Sequence, residues 1–288
     1  MTGERIAAMK KKIEWGYLLL LPGIGYIVFM IGVAVYMMTA QSFGFYNYAG
    51  ESGFTLKFWK EVFNREFLDS MLFSLKIGIL SSMCCIVICY PLAVYLQNAR
   101  GGKILLTLIR IPYFIPALVA AFLIVNVIDY HGIFNQVLVA LGIISEPLRL
   151  RNDDWGVGVL LIQIWKNVPF QMIIMYSAVE SVRKDVKDAA RNLGAGPIRV
   201  MTSIIIPITL PSAFVSVIMT FIGTFNDFAI SSTAGPTYPI SLANLMQNYA
   251  YQYSDWNSAA CTGVLMLLIT TFCVIGYAKI QKGLERLL

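Results

Sequence analysis

Hydrophobic and polar positions fall in long blocks along this chain, not in short helical or strand-like alternations. Six apolar runs are separated by short polar stretches, and each run is close to the roughly 20 residues that a helix needs to cross hydrocarbon. The runs lie near residues 15–40, 68–97, 104–128, 157–180, 205–233 and 259–279. The pattern predicts an all-α, polytopic membrane protein of about six spans, with residues 1–288 forming one transmembrane domain.

Composition agrees with this class and narrows it. The 288 residues are 58% hydrophobic and only 13% charged, about half the charged share of an average soluble domain. Three lysines (Lys10–Lys12) precede the first run, as in a secretory signal, but the run is far longer than a signal core, so we interpret it as a retained span. Neither a metal nor a cofactor is expected, because the single histidine, His131, has no second ligand at metal spacing and the five cysteines all fall inside spans.

The distribution of lysine and arginine predicts orientation, since cytoplasmic loops carry the excess of basic residues. Fifteen of the 22 basic residues lie before the first run, between runs two and three, between runs four and five, or in the tail, counting Arg110 near the start of the third run and Lys279 at the end of the sixth with these connections. Both termini and the connection around residues 183–206 are therefore expected to face the cytoplasm. The net charge of +6 is then explained by the basic residues of the cytoplasmic connections, and it gives no reason to expect a nucleic-acid partner.

The three opposite connections, near residues 43–67, 129–155 and 234–258, have a different character. With Asp69, just past the first, they carry nine acidic residues against five basic ones, and the sequence "IFNQVLVALGII" (133–144) within the second predicts a short amphipathic helix. A mildly acidic outer face of this kind suits docking of another protein. Ordinary solvated loops are the alternative interpretation.

The connection between runs four and five contains "DAARNLGAGPIRVMTSIIIP", residues 188–207. Asp185 is placed to cap a helix, with Asp188 in its first turn, where a negative charge suits the helix dipole. Gly194 and Gly196 then break that helix, and Pro197 is suited to open the next one, from Ile198 onward. The pattern predicts two short helices forming a rigid knob. An amphipathic helix resting on lipid headgroups is the alternative.

The same stretch resembles the signature loop of binding-protein-dependent ABC importer permeases. The family pattern is Glu-Ala-Ala, three residues, Gly, nine residues, Ile, one residue, Leu-Pro, and the spacing fits throughout, with Asp replacing Glu at 188 and Ile replacing Leu at 206. The segments "GIFNQVLVALGI", "IWKNVPFQMIIMYSAVESV" and "AGPTYP" extend the resemblance to roughly residues 15–281. It assigns ATPase coupling to Asp188, Ala189, Ala190, Gly194, Ile204, Ile206 and Pro207.

The resemblance implies a multi-pass permease subunit of the bacterial cytoplasmic (inner) membrane. Its expected partners are two ATP-binding subunits, an extracytoplasmic solute-binding protein and a second homologous permease, with a homodimer as the lesser alternative. The 183–206 loop would fit a groove of the ATPase and transmit its closure to the spans. No G-x-x-x-x-G-K-[ST] phosphate loop occurs in the sequence, so the chain is not expected to be an enzyme or to bind ATP itself.

Polar residues within or near spans are candidates for the solute pathway, because such residues are costly in a membrane and usually face a cavity or a partner. Asn226 and Asp227 lie at the fifth run, and Lys166 and Asn167 in the fourth. The alternative for Asp227 is pairing with Lys76, with Lys166 or with a polar group of the partner permease.

The solute class rests on finer similarities. "ARNLGAGP", "GIISEPLRLRNDDWGVGV" and "YQYSDWNSAA" are similar to polyamine-type permeases, which favours spermidine, putrescine or a related small cation. "IWKNVPFQMIIMYSAVE" and "AGPT" resemble sugar permeases about as well, so a carbohydrate importer stays open. An ATPase-independent secondary transporter is disfavoured by the absence of a detectable internal repeat. A scaffold subunit is the remaining alternative.

Overall fold

The computed structural model describes the backbone of residues 3–47 and 52–285 and the side chains of residues 22–47 and 52–284. Glu51 and Arg286, which entered the charge counts, and the side chains of Arg5 and Lys10–Lys12 therefore lie outside the described parts. The helices are α1 (Gly3–Ser42), α2 (Lys57–Val62), α3 (Arg65–Asn98), α4 (Gly102–Ile109), α5 (Ala117–Ile128), α6 (Ile133–Ala140), α7 (Val157–Ser181), α8 (Lys184–Asn192), α9 (Pro197–Val200), α10 (Ile206–Phe225), α11 (Ala229–Ala234), α12 (Leu242–Gln247) and α13 (Trp256–Glu285).

Six helical segments in the described chain are long and apolar enough to cross a membrane, as the sequence predicted. They are Pro22–Ser42, Arg65–Asn98, Ala117–Ala140, Val157–Ser181, Pro197–Phe225 and Trp256–Leu284. Large apolar side chains such as Val87, Ile104 and Phe272 are exposed on the outside of the bundle, which suits a lipid environment. The predicted amphipathic helix at 133–144 is confirmed as α6.

The centre of the bundle is formed by α3, α7 and α10, which pack closely on one another. Around them, α13 packs against α1 and α12, and α5 packs against α7 and α11. One apolar cluster joins α3, α7 and the start of α10 around Cys89, Met172 and Met175. A second joins α10, α12 and α13 around Phe221, Phe225 and Leu245. The cysteines at 84, 85, 89, 261 and 273 are unpaired in this core.

Two predicted spans differ from the observed helices, because each is interrupted by a short stretch that is not α-helical. The predicted span 104–128 is interrupted between α4 and α5 by a 3₁₀ turn, Ile111–Phe114, where Pro112 and Pro116 cannot donate to a helical ladder. The third apolar helical stretch accordingly runs across α5 and α6. The predicted span 205–233 is divided at Asn226–Phe228, where α10 ends and α11 begins.

Candidate functional site

The 183–206 loop begins with α8, whose start differs from the prediction. Arg183, not Asp185, is the residue preceding the helix, and Asp185 lies in the first turn. Asp185 still carries a negative charge at the positive end of the helix dipole, and it forms an ion pair with Arg183 at 3.0 Å. Asp188 lies one turn later and pairs with Arg191 at 3.5 Å. The helix is therefore stabilised by local charge pairs at an exposed surface.

Gly194 ends α8 in the way its residue type predicts. Its φ is +84°, in the left-handed region that glycine adopts without strain. The Gly194 N–H donates to the Arg191 carbonyl at 2.9 Å, and the Ala195 N–H donates to the Ala190 carbonyl at 3.0 Å. This pair of bonds is the Schellman arrangement, which satisfies carbonyls that the helix end leaves free. Pro197 then opens α9 at its first position, as predicted.

The base of the loop is fixed to the bundle by polar and apolar contacts. The Lys187 ammonium donates to the Gln97 side-chain oxygen at 3.3 Å and to the Val179 carbonyl at 3.1 Å, which ties α8 to the ends of α3 and α7. Burial lowers the pKa of Lys187, and the nearby Arg191 charge lowers it further. Ala190 and Ala195 pack against the apolar cluster of α3, α7 and α10. The knob is thus held in one orientation.

The tip of the loop presents unprotected apolar side chains. Leu193 is 89% exposed and Ile198 is 77% exposed, and Ala189 is exposed as well. A Cβ added at Gly194 would meet nothing within 4 Å in this chain. Exposed apolar side chains on a fixed base, projecting from a membrane bundle, are suited to insertion into a groove of another protein.

The remaining motif residues lie apart from this tip. Ile204, Ile206 and Pro207 are half-buried at the junction of the loop with α10. A π-helical turn, Met201–Ile205, leads directly into α10, whose second residue is Pro207, which has no N–H to continue an α-helical ladder. The Tyr90 hydroxyl bonds to Thr209 Oγ1 and lies 3.4 Å from the Ile206 carbonyl. The seven motif residues thus form two groups. Asp188, Ala189, Ala190 and Gly194 lie on the knob, whereas Ile204, Ile206 and Pro207 lie at the junction Met201–Pro207, which we call the joint.

Lys166 has a structural partner within the described chain. Its ammonium donates to the carbonyls of Pro112 and Tyr113, each at 2.9 Å, and to the carbonyl of Ile115. A cation at this place satisfies the carbonyls at the end of the 3₁₀ turn that divides α4 from α5. The sequence could not reveal this role, because the partners lie more than 50 residues away.

Asn167 belongs to a buried polar ladder between α7 and α10 that the sequence analysis missed. The Asn167 amide donates to Thr224 Oγ1 at 3.2 Å, and the Gln171 amide donates to Thr220 Oγ1 at 3.0 Å. The sequence does contain a signal for this ladder. Its polar residues recur every four positions on both helices, and this spacing places the polar residues of each helix on one face. The ladder consists of Gln163, Asn167 and Gln171 on α7 and Ser216, Thr220 and Thr224 on α10.

Asp227 lies in the break between α10 and α11, and its carboxylate supports the start of α11. Its Oδ2 accepts from the N–H groups of Ile230 at 2.9 Å and Ser231 at 3.1 Å. Within the described residues Asp227 makes no ion pair with Lys76 or Lys166, so the pairing alternative within this chain is wrong. The neighbouring Asn226 is exposed, and its amide donates to the Ile222 carbonyl at 2.9 Å.

Two cavities adjoin this break. The first, of ≈ 600 Å³, is polar and is lined by Arg151, Asn152, Phe228, Ser231, Ser232, Thr233, Gly235, Pro236, Thr237, Ile240, Asn244, Gln247, Asn248, Tyr251 and Gln252. The second, of ≈ 820 Å³, is mainly apolar and includes Asn226, with Met38, Gln41, Met246, Tyr251, Trp256 and Met266 among its walls. Of the four predicted pathway residues, Asn226 lines a cavity. Asp227 follows it in the chain but is in neither lining, and its carboxylate, like the Lys166 and Asn167 side chains, is held in structural contacts.

No group of three or more histidine, cysteine, aspartate or glutamate side chains is placed to hold a metal ion in the part of the chain that the structure describes.

Residues 85–286 match the family described as "Binding-protein-dependent transport system inner membrane component". The chain belongs to this family. The matched range includes the 183–206 loop, the polar ladder and the break at Asp227. The protein is accordingly a multi-pass permease component of an ABC importer in the bacterial inner membrane.

Relatives and solved structures agree on the class of this permease and differ in their solutes. It is 24% identical over 235 residues to the spermidine/putrescine transport system permease protein PotB of Escherichia coli K12, covering 81% of this chain and 85% of the relative. It is 25% identical over 286 residues to the sn-glycerol-3-phosphate transport system permease protein UgpA of Yersinia pestis bv. Antiqua (strain Antiqua), covering 92% of both. The fold matches a bacterial ABC transporter that imports the acidic polysaccharide alginate, with a TM-score of 0.78 at 18% identity over 96% of this chain and 98% of that one.

Proposed function

We propose that this permease docks two cytoplasmic ATP-binding subunits through the 183–206 loop. The observation that carries the proposal is the exposed apolar tip at Leu193 and Ile198 on a base fixed by Lys187. A rigid base is needed because a flexible loop would absorb the movement of the ATPase instead of passing it to the spans. The ATP is hydrolysed in the separate subunits, and this chain supplies the pathway.

The joint at Met201–Pro207 gives this loop a mechanical connection to α10. When the ATPases close on ATP, the knob moves with its groove, and α10 tips with it because α9, the π-helical turn and α10 follow one another without a break. The spans then change from inward-open to outward-open by rigid-body rocking. The orientation that this requires, with the loop and both termini in the cytoplasm, follows the distribution of basic residues.

Six spans form half of the pathway, and a second homologous permease supplies the other half. The support is a stripe on α10 opposite its packed face, where Ile208, Val215, Met219, Gly223 and Asn226 are exposed along one side. Pairing would cover this stripe and place Asn226 at the pathway. A separately encoded partner is proposed, with a homodimer as the alternative. An extracytoplasmic binding protein delivers the solute to the outer loops.

The solute that we propose is spermidine, putrescine or a related small cation. The cavity beside Asn226 combines apolar walls with the aromatic rings of Tyr251 and Trp256, which suits methylene chains that carry ammonium groups. The similarity to PotB supports the same class. Asp227 adds a carboxylate near the cavity, at the break between α10 and α11.

A sugar or sugar-like solute is the second candidate, and one feature of the polar cavity favours it. Its lining consists mainly of amides and hydroxyls, and the charged residue in that lining is Arg151, with no carboxylate. Such a wall suits a polyhydroxylated or anionic solute. The similarity to UgpA, whose name gives sn-glycerol 3-phosphate, supports the same alternative.

Uptake by the reconstituted complex tests the proposal. Proteoliposomes containing this permease and its co-purified subunits should accumulate radiolabelled spermidine or putrescine only with internal ATP and the external binding protein. Accumulation of sn-glycerol 3-phosphate instead would move the solute to the second candidate. Uptake by this chain alone, driven by an ion gradient and without ATP, would contradict the importer mechanism and indicate a secondary transporter.

A further inference from the structure

The two cavities beside the break meet at a shared wall. Phe228, Gln247 and Tyr251 line both the polar cavity and the apolar cavity. Gln247 is the last residue of α12, half-buried between the two spaces. A solute that moves directly from one cavity to the other would pass these three side chains.

Two amide oxygens at this wall have no hydrogen-bond partner among the described residues. They are Asn244 Oδ1 and Gln247 Oε1, both inaccessible from the surface in the present arrangement. The Asn244 side chain belongs to a residue that is only 9% exposed, and it lines the polar cavity. A buried acceptor without a donor is costly, so such groups in a folded protein usually have a partner. For these two oxygens the donor has to be a water molecule, another subunit or a solute.

The elements that hold these amides are well supported. Ser241 caps α12 by accepting from the Asn244 N–H at 3.3 Å, and the Leu242 N–H donates to Ser74 Oγ at 2.9 Å. Leu242 and Leu245 are fully buried on the opposite side of α12. The unpaired oxygens therefore do not result from a loose segment, because packing fixes the helix. Asn244 and Gln247 line the cavities, but their oxygens are covered in this arrangement, and a solute would reach them after rotation of the side-chain amides.

We propose that Asn244 and Gln247 form an acceptor pair that selects the solute by accepting N–H or O–H hydrogen bonds from it. Gln247 is the specificity-determining residue, since it lies where the cavities meet, and Asn244 extends the site into the polar cavity. This inference rests on the proposed function, in which the solute passes these cavities. The ligand group is a protonated amine, with its methylene chain in the apolar cavity beside Tyr251; a hydroxyl group shares the donor chemistry.

Substitution at Gln247 tests the site through the transport constants. Gln247→Leu removes the acceptor at similar volume, so the KM for uptake should rise by about tenfold, the effect of losing a hydrogen bond to a charged donor. Asn244→Leu should raise KM in the same direction. Gln136→Leu is the matched control, because this amide is exposed on α6, donates to the His131 carbonyl at 2.9 Å, and lies outside both cavities. Recovery of each variant with its ATPase in normal amount checks assembly.

Gln247→Glu distinguishes the two donor chemistries. If the solute group is an ammonium, the added negative charge should keep or lower the KM for spermidine and putrescine. If the group is a hydroxyl, the same variant should raise the KM for sn-glycerol 3-phosphate, since its phosphate is repelled. Wild-type KM in assembled Gln247→Leu and Asn244→Leu complexes would overturn the inference while leaving the importer intact. Absence of ATP-driven uptake in the wild type would instead contradict the proposed function.

Discussion

Replacement of Gly194 is the perturbation that best separates a coupling role of the 183–206 loop from a purely structural one. Gly194 has a φ of +84°, where an L side chain costs about 1–2 kcal/mol. A Cβ at this position meets nothing within 4 Å in this chain, so no steric cost adds to the conformational one. The intrinsic effect of Gly194→Ala is therefore limited to weakening of the Schellman arrangement at the end of α8.

This free-energy cost predicts a partial loss of uptake in Gly194→Ala and a complete loss in Gly194→Asp. A cost of about 1–2 kcal/mol lowers the population of the native loop by roughly 5- to 30-fold relative to alternatives and is too small to unfold the bundle. ATP-driven uptake by Gly194→Ala should fall by up to this factor. Gly194→Asp should abolish uptake, because a carboxylate at the tip beside Leu193 would be buried unpaired in the ATPase groove. Both variants should insert in normal amount.

Gly196 provides the matched control. Its φ of −67° and ψ of 165° are accessible to any residue, and an added Cβ again meets nothing within 4 Å. Gly196→Ala should keep uptake within about twofold of wild type if conformation alone decides the outcome. Uptake and retention of the ATPase on the purified complex are measured for all variants. Wild-type uptake and ATPase retention by both Gly194 variants would refute the docking of this loop.

Four further substitutions, at three positions, test the structural contacts described above. Lys166→Met should lower the stability of the detergent-solubilised protein by about 1–3 kcal/mol, since three carbonyls lose their donor; an unchanged unfolding temperature would contradict the role of this lysine. Asp227→Ala should destabilise α11 by about 0.5–2 kcal/mol, whereas Asp227→Asn keeps an acceptor and should lower only the uptake of a cationic solute; equal thermal shifts in the two variants would argue against the capping role. Lys187→Met should speed hydrogen exchange in residues 184–192 by about 5- to 10-fold, and unchanged exchange would show that Lys187 does not fix α8.

The six spans could be predicted from the sequence because hydrophobicity over about 20 residues is a local property. The end of α8 at Gly194 and the start of α9 at Pro197 could be predicted for a similar reason, since both follow from the backbone preferences of single residues. The residue that precedes α8 is Arg183, two residues before the predicted cap at Asp185, and its side chain makes no capping hydrogen bond. The start of α8 therefore lacks the side-chain cap on which the prediction relied.

Features that depend on distant partners could not be predicted. Lys166 was a pathway candidate, but the carbonyls that it contacts lie at Pro112, Tyr113 and Ile115, and only the fold brings them near. The break at Asp227 was hidden because apolar residues continue on both sides of it, so an averaged hydropathy window passes through the gap. The proposed acceptor pair at Asn244 and Gln247 gives no signal in the local sequence, because only the fold determines whether a hydrogen-bond donor lies near each amide oxygen.

We propose that this chain works as the pathway subunit of an ATP-driven assembly. Mass spectrometry of the proteins that co-purify with the tagged chain, from its native membrane in mild detergent, is the decisive experiment. We expect a phosphate-loop ATPase, a second six-span permease and an extracytoplasmic binding protein, and we expect Gly194→Asp to lose the ATPase while keeping the second permease. Recovery of the chain alone, intact and stable, would show that it is not such a subunit.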